Sequence, residues 1–124
     1  MANEFETMMT QSRIELGHSA IKYSFLCNGG ALVAMLAFIG NISANGNIQS
    51  LDMDCTKWVL GFFCLGLGAA LFAFVFAYLS QTYFSNNNQS RGVRYLIATL
   101  NLIMMANAFF LLGASNAVLG MFKI

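Results

Sequence analysis

The sequence predicts an all-α membrane protein: an amphipathic N-terminal helix followed by three transmembrane helices. Composition and one pattern predict it. Hydrophobic residues make up 58% of the 124 residues and charged residues only 9%, outside the range of soluble globular chains. The run WVLGFFCLGLGAALFAFVFAYL, residues 58–79, holds no charged, amide, serine or threonine side chain. As a helix it would be about 33 Å long, just over the ~30 Å hydrocarbon core of a bilayer. A buried helix in so short a chain would need a polar face, because too little protein is available to surround it. The expected organisation is a single domain over residues 1–124, with an amphipathic helix at 1–22 and spans at 23–42, 58–84 and 93–121.

In the first segment Phe5, Met9, Leu16, Ala20 and Tyr23 recur at helical spacing beside Glu6, Arg13 and Glu15. Glu15 and Lys22 are too far apart for an i,i+4 pair, so no ideal ion-pair ladder holds this helix. It runs into the first span, lies at the interface, or offers a surface to a soluble cytoplasmic partner. The apolar run at 23–42 follows a long acidic stretch and exceeds a usual signal-peptide core, so a retained span is expected.

The first span carries Asn28, Gly29, Gly30 and Ala31. Cys27, Gly30 or Ala31, Ala34 and Ala37 fall on one face. Small residues at this spacing let helix backbones approach closely. An amide is costly facing lipid, so Asn28 should point at another helix or a wet cavity. The alternative is that Gly29-Gly30 breaks the helix and bares carbonyls to an ion or substrate. Cys27 and Cys64 read as small buried hydrophobes, and three cysteines argue against a disulfide framework.

The first loop turns at Asn45-Gly46. Asp52, Asp54 and Cys55 lack a fuller ligand set for a metal, and Asp54 or Thr56 is the expected cap of the second span. Trp58, Tyr78 and Tyr83 suit the two headgroup regions. Gly66, Ala69 or Ala70, Ala73, Ala77 and Ser80 form a small-residue stripe within that span. The turn SNNNQSRGVR, residues 85–94, matches a glycosylation acceptor at Asn88-Gln89-Ser90, yet Arg91 and Arg94 mark it as cytoplasmic. Residues 95–122 hold no charge and would make about 42 Å of helix, which must tilt or emerge. Asn101 and Asn107 lie about 240° apart on its wheel, so one can bond within the subunit and the other across an interface. Ala98, Asn101, Met105, Ala108 and Leu112 follow a coiled-coil spacing, and Gly113, Ala117 and Gly120 form another small-residue row.

Counting bases sets the orientation. Arg13, Lys22, Arg91 and Arg94 belong to one side, Lys57 and Lys123 to the other, which puts the N-terminus in the cytoplasm. A net charge of +1 gives no field for nucleic acid. The sole histidine, His18, cannot build a histidine-rich metal site. No ionisable residue lies within the core of any span, which disfavours proton-coupled transport. No nucleophile–base pair, phosphate loop or haem-ligand pair is present. The expectation is a non-enzyme with no catalytic, cofactor-binding or metal-binding residues and no cofactor.

The residues Leu26-Cys27-Asn28-Gly29-Gly30-Ala31, continuing to Leu36-Ala37-Phe38-Ile39-Gly40, resemble a pattern in small uncharacterised bacterial inner-membrane proteins. These have an amphipathic N-terminal helix, then an NGGA…LAF.G first span, then further spans. Some small multi-span proteins of this look are membrane effectors of anti-phage systems with soluble sensor partners. The resemblance implies a bacterial inner-membrane location and, at most, a defence setting; it transfers no functional residue. The expected function is a homo-oligomer in membrane lipid that alters permeability, as a pore-type effector or small channel. Asn28, Gly29, Gly30, Ala34, Gly66, Ala73, Asn101 and Asn107 are its helix-packing or pore-lining candidates. The alternative is an accessory or scaffold subunit that docks a partner through the N-terminal helix. A small transporter built from oligomerised three-span units is a third possibility.

Overall fold

The computed structural model describes residues 2–120, and of Ala2 only the backbone. Phe122, Lys123 and the end of the expected 93–121 span lie outside the described residues. Three α-helices make up almost all of it: α1 (Ala2–Ala44), α2 (Met53–Ser85) and α3 (Gln89–Gly120). All three are long and apolar enough to cross a membrane.

The expected amphipathic helix and first span are one uninterrupted helix of 43 residues, about 64 Å long. It runs through Gly29-Gly30 without a break, so no carbonyl is bared there. Residues 3–16 are exposed throughout. Contact with the bundle starts near Gly17, and His18 Nε2 lies 3.1 Å from Gln81 Nε2. That contact places Arg13 and Lys22 at the same end of the bundle as the α2–α3 turn, with Arg91 and Arg94.

At its other end α1 stops where Gly46 adopts φ +73°, a left-handed conformation that favours glycine. A short 3-10 turn (Ile48–Ser50) leads to Asp52, and α2 begins one residue later, before the expected boundary at 58. The cap of α2 is Asp52, not Asp54 or Thr56. Its carboxylate accepts from the Asp54 and Cys55 backbone N–H groups at 3.0 and 3.2 Å. Thr56 donates to the Asp52 carbonyl at 2.7 Å, and Asp54 pairs with Lys57 on the surface at 3.4 Å. The helix starts earlier because the carboxylate two residues before Asp54 reaches the free N–H groups of the first turn.

Helices α2 and α3 form an antiparallel hairpin. Its turn places Asn87 at φ 57°, a region asparagine tolerates better than most residues. Tyr83 stacks on Tyr95 with centroids 5.2 Å apart, and the Arg91 guanidinium lies 5.9 Å over the Tyr83 ring. Ser80 donates to the Gly92 carbonyl at 2.9 Å. Further along, Phe63 meets Phe110 at 5.9 Å, and Gly113 lets the Phe63 ring approach the α3 backbone. The axis of the bundle is filled by side chains, with Val59, Ala73 and Ala106 all 0% exposed.

Helix α1 crosses this hairpin through a narrow face. Ile21 packs with Ala73 and Ile103, and Leu32, Met35 and Ile42 pack on the cluster of Leu51, Val59 and Phe63. Only 6% of its apolar stretch is buried, against 33% in α2 and 22% in α3. Cys27 and Cys64 are free thiols on the outer surface rather than in the core. A bundle three helices wide has room for one stripe per helix, and both cysteines fall off that stripe.

Candidate functional site

The polar centre of the bundle is built on Asn28, which is 0% exposed. Its Nδ2 donates to the Ser24 carbonyl one turn back at 3.0 Å and to the Ala106 carbonyl of α3 at 3.2 Å. Both are acceptors, so the amide orientation is forced: nitrogen towards the carbonyls, oxygen away. That oxygen has no hydrogen-bond partner and packs against Gly66 of α2. A Cβ added at Gly66 would sit 2.6 Å from Asn28 Cγ and 3.0 Å from Nδ2. Glycine is therefore required there for close approach. Its Cα–H groups offer the oxygen a weak contact in place of a true donor.

Ser24 extends the layer. It is 3% exposed, and its hydroxyl donates to Asn107 Oδ1 at 2.9 Å. Ser24, Asn28, Gly66, Ala106 and Asn107 thus join all three helices at one level. Gly66 lies about 12 Å along α2 from Trp58 and about 20 Å from Leu79, near the middle of the apolar run. The arrangement fixes the rotation and register of α1 on the hairpin. It leaves no open coordination site, because the Gly66 backbone occupies the space before the free oxygen.

The other candidates separate into two groups. Gly29 borders the polar layer; a Cβ there would make an ordinary 3.5 Å contact with Leu67. Ala73 lies in the core, about two turns from Gly66. Gly30 and Ala34 are exposed on the outer side of α1, and a Cβ at Gly30 would meet nothing within 4 Å. Asn101 is also exposed and makes no hydrogen bond among the described residues. It lies about 9 Å along α3 from Tyr95, among Ile97, Met104 and Met105. Asn107 bonds inward through its oxygen, while its amide nitrogen stays at the surface without a partner among the described residues.

Sequence reasoning missed Ser24. Its signal was present: Ser24 and Asn28 are one turn apart, so they share a face with Ala31 and Leu32. Asp52, Asp54 and Cys55 are separately engaged, the last through a 3.6 Å Sγ contact with the Asn116 carbonyl. Among the described residues no three histidine, cysteine, aspartate or glutamate side chains converge.

Fold and site together define a helical chain with three candidate membrane spans and a polar lock at its centre. No family model matches the chain, and neither the curated proteins nor the solved structures give a significant match.

Proposed function

We propose that this chain is the protomer of a non-enzymatic, multi-pass homo-oligomer of a bacterial inner membrane, and that the oligomer alters permeability as a small channel or pore-type effector. The N-terminus lies in the cytoplasm, since Arg13, Lys22, Arg91 and Arg94 share one end of the bundle. The observation that carries the reading is Asn101. Asn28 and the Asn107 oxygen are engaged inside the subunit, whereas the Asn101 amide sits outward at apolar depth with no partner among the described residues. An amide there is stable against a second subunit or a water path, and costly against lipid. Because side chains fill the bundle axis, any water path runs between copies rather than through one.

The test is ion release from sealed vesicles containing the purified protein, with Asn101→Leu compared against the parent. Release by the parent, lost in Asn101→Leu with the oligomer intact, supports the reading. A parent that forms oligomers and leaves the vesicles sealed overturns it. A second reading is favoured by the exposure of residues 3–16: an accessory or scaffold subunit that docks a soluble cytoplasmic protein on this helix. No residue of the site bears on the anti-phage setting implied by the resemblance, so the proposal is confined to permeability.

A further inference from the structure

Helix α1 carries a second face, opposite the one that packs on the hairpin. Starting at Phe5 and stepping alternately four and three residues to Ala44, every position is exposed and none is charged. The spacing is that of a heptad seam, the register along which helices pack as left-handed coiled coils, with Ser12 and Ser19 as its two serine positions. Its first half holds Phe5 and Leu16, 66% and 68% exposed. Its second half runs through Tyr23 to Gly30, Ala37 and Gly40. A Cβ at Gly30 or Gly40 would meet nothing within 4 Å. Each glycine costs about 1 kcal/mol of helix propensity relative to alanine, and nothing among the described residues requires it. Glycine at such positions permits close backbone approach by a helix from outside the subunit.

We propose that the seam of α1 is the contact between two copies of this chain, packed as parallel helices over both the aqueous and the apolar halves of α1. The inference rests on the oligomer of the reading above and not on its conducting ions. Parallel packing follows from insertion, since every copy enters the membrane with the same orientation. The occupant follows from continuity. Lipid covers only the apolar half and a soluble protein only the aqueous half, whereas a second α1 covers both. Charge agrees: Glu6 and Arg13 flank one side of the seam, and Glu15 and Lys22 the other, so neither edge presents a single sign. The seam is about 58 Å long and, at a helix width of about 10 Å, the pair buries about 1,200 Å² in total, the lower edge for a specific interface.

The experiment is disulfide cross-linking of the full chain in vesicles, in a background with Cys27, Cys55 and Cys64 replaced by alanine. Ser12→Cys and Val33→Cys lie on the seam, Ile14→Cys lies off it, and Met105→Cys lies on the outer row of α3. Parallel seam positions come within the short Cα separation a disulfide needs. Expected are covalent dimers at positions 12 and 33 and none at 14 or 105. Gly30→Leu, which points into open space in the subunit, is expected to keep the fold and to lower the dimer yield at position 33 about tenfold or more. Cross-linking at 105 without 12 or 33 overturns the α1 interface and leaves the oligomer standing. No cross-linking anywhere, with a monomeric mass in lipid nanodiscs, overturns both.

Discussion

Replacing Gly66 with alanine tests whether Asn28 is locked in place or merely tolerated. The new methyl carbon would stand 2.6 Å from Asn28 Cγ, with Asn28 fully buried and bonded on both amide hydrogens. The amide has to move, and its movement lengthens two hydrogen bonds at once. Overpacking a filled site costs about 1–3 kcal/mol. The hydrogen bonds add about 0.6 kcal/mol each at the level typical of membrane helices. Alanine returns about 1 kcal/mol of helix propensity, which leaves a net loss of about 1–3 kcal/mol. Reversible unfolding in mixed micelles, followed by far-UV circular dichroism or Trp58 fluorescence, reads this difference. The double variant Asn28→Ala with Gly66→Ala removes the collision, so the two changes together should cost less than their sum by about 1 kcal/mol or more. A Gly66→Ala protein as stable as the parent, with additive effects in the double variant, would refute the lock.

The remaining glycines give contrasts of sign and size. Gly30→Ala, at an open position, should leave the fold unchanged or raise its stability by up to about 1 kcal/mol in the same assay. Gly113→Ala puts a methyl 2.8 Å from the Phe63 ring, itself only 3% exposed, and should cost about 1–3 kcal/mol. Gly92→Ala makes an equally close contact with Phe84, but that ring is 39% exposed and can swing aside, so it should cost visibly less than Gly113→Ala. Asp52→Ala removes the cap of α2 and should lower stability by about 1 kcal/mol, with amide exchange accelerating first at Asp54 and Cys55.

The helical architecture was legible because its signals are long. Sustained apolar runs and short polar turns place three helices without any knowledge of their packing. The loss of a boundary between residues 22 and 23 is equally physical. Nothing there ends a helix: there is no proline, no asparagine in a left-handed turn and no capping residue in place, so the amphipathic stretch and the span propagate as one. What the sequence left open is which stripe of each helix faces inward. The small row of α2 from Gly66 to Ser80 lies inside. The equally plausible row of α1 at Gly30 and Ala34 lies outside, because Ser24 and Asn28 take α1's polar stripe to the hairpin and the opposite face is turned away. Asn101 and Asn107 of α3 divide for the same reason: Asn107 reaches Ser24, and Asn101 has no partner among the described residues.

That division bears on how the molecule works. A buried polar group is tolerated where its bonds are made, and here the inner layer is nearly complete: three donors find acceptors and one oxygen rests on a glycine. The interior is thus settled as a lock for helix register, which is a poor place for a permeation path. Apart from the Asn28 oxygen, unmet hydrogen-bonding capacity in the apolar stretches lies on the outside, at Asn101 and at the Asn107 nitrogen, and Gly30 and Gly40 are among the glycines where an added Cβ would meet nothing within 4 Å. Replacing Ser24 with alanine separates the two surfaces. It removes the bond that holds Asn107 inward, at a cost of about 0.6 kcal/mol to the fold, and frees a second amide for the exterior. If the outer amides serve contacts or water between copies, Ser24→Ala raises vesicle leakage or shifts oligomer mass while the subunit stays folded. If leakage and mass both stay at parental values, the Asn107 amide plays no part between copies, and Asn101 and the exposed N-terminal helix are the surfaces left to pursue.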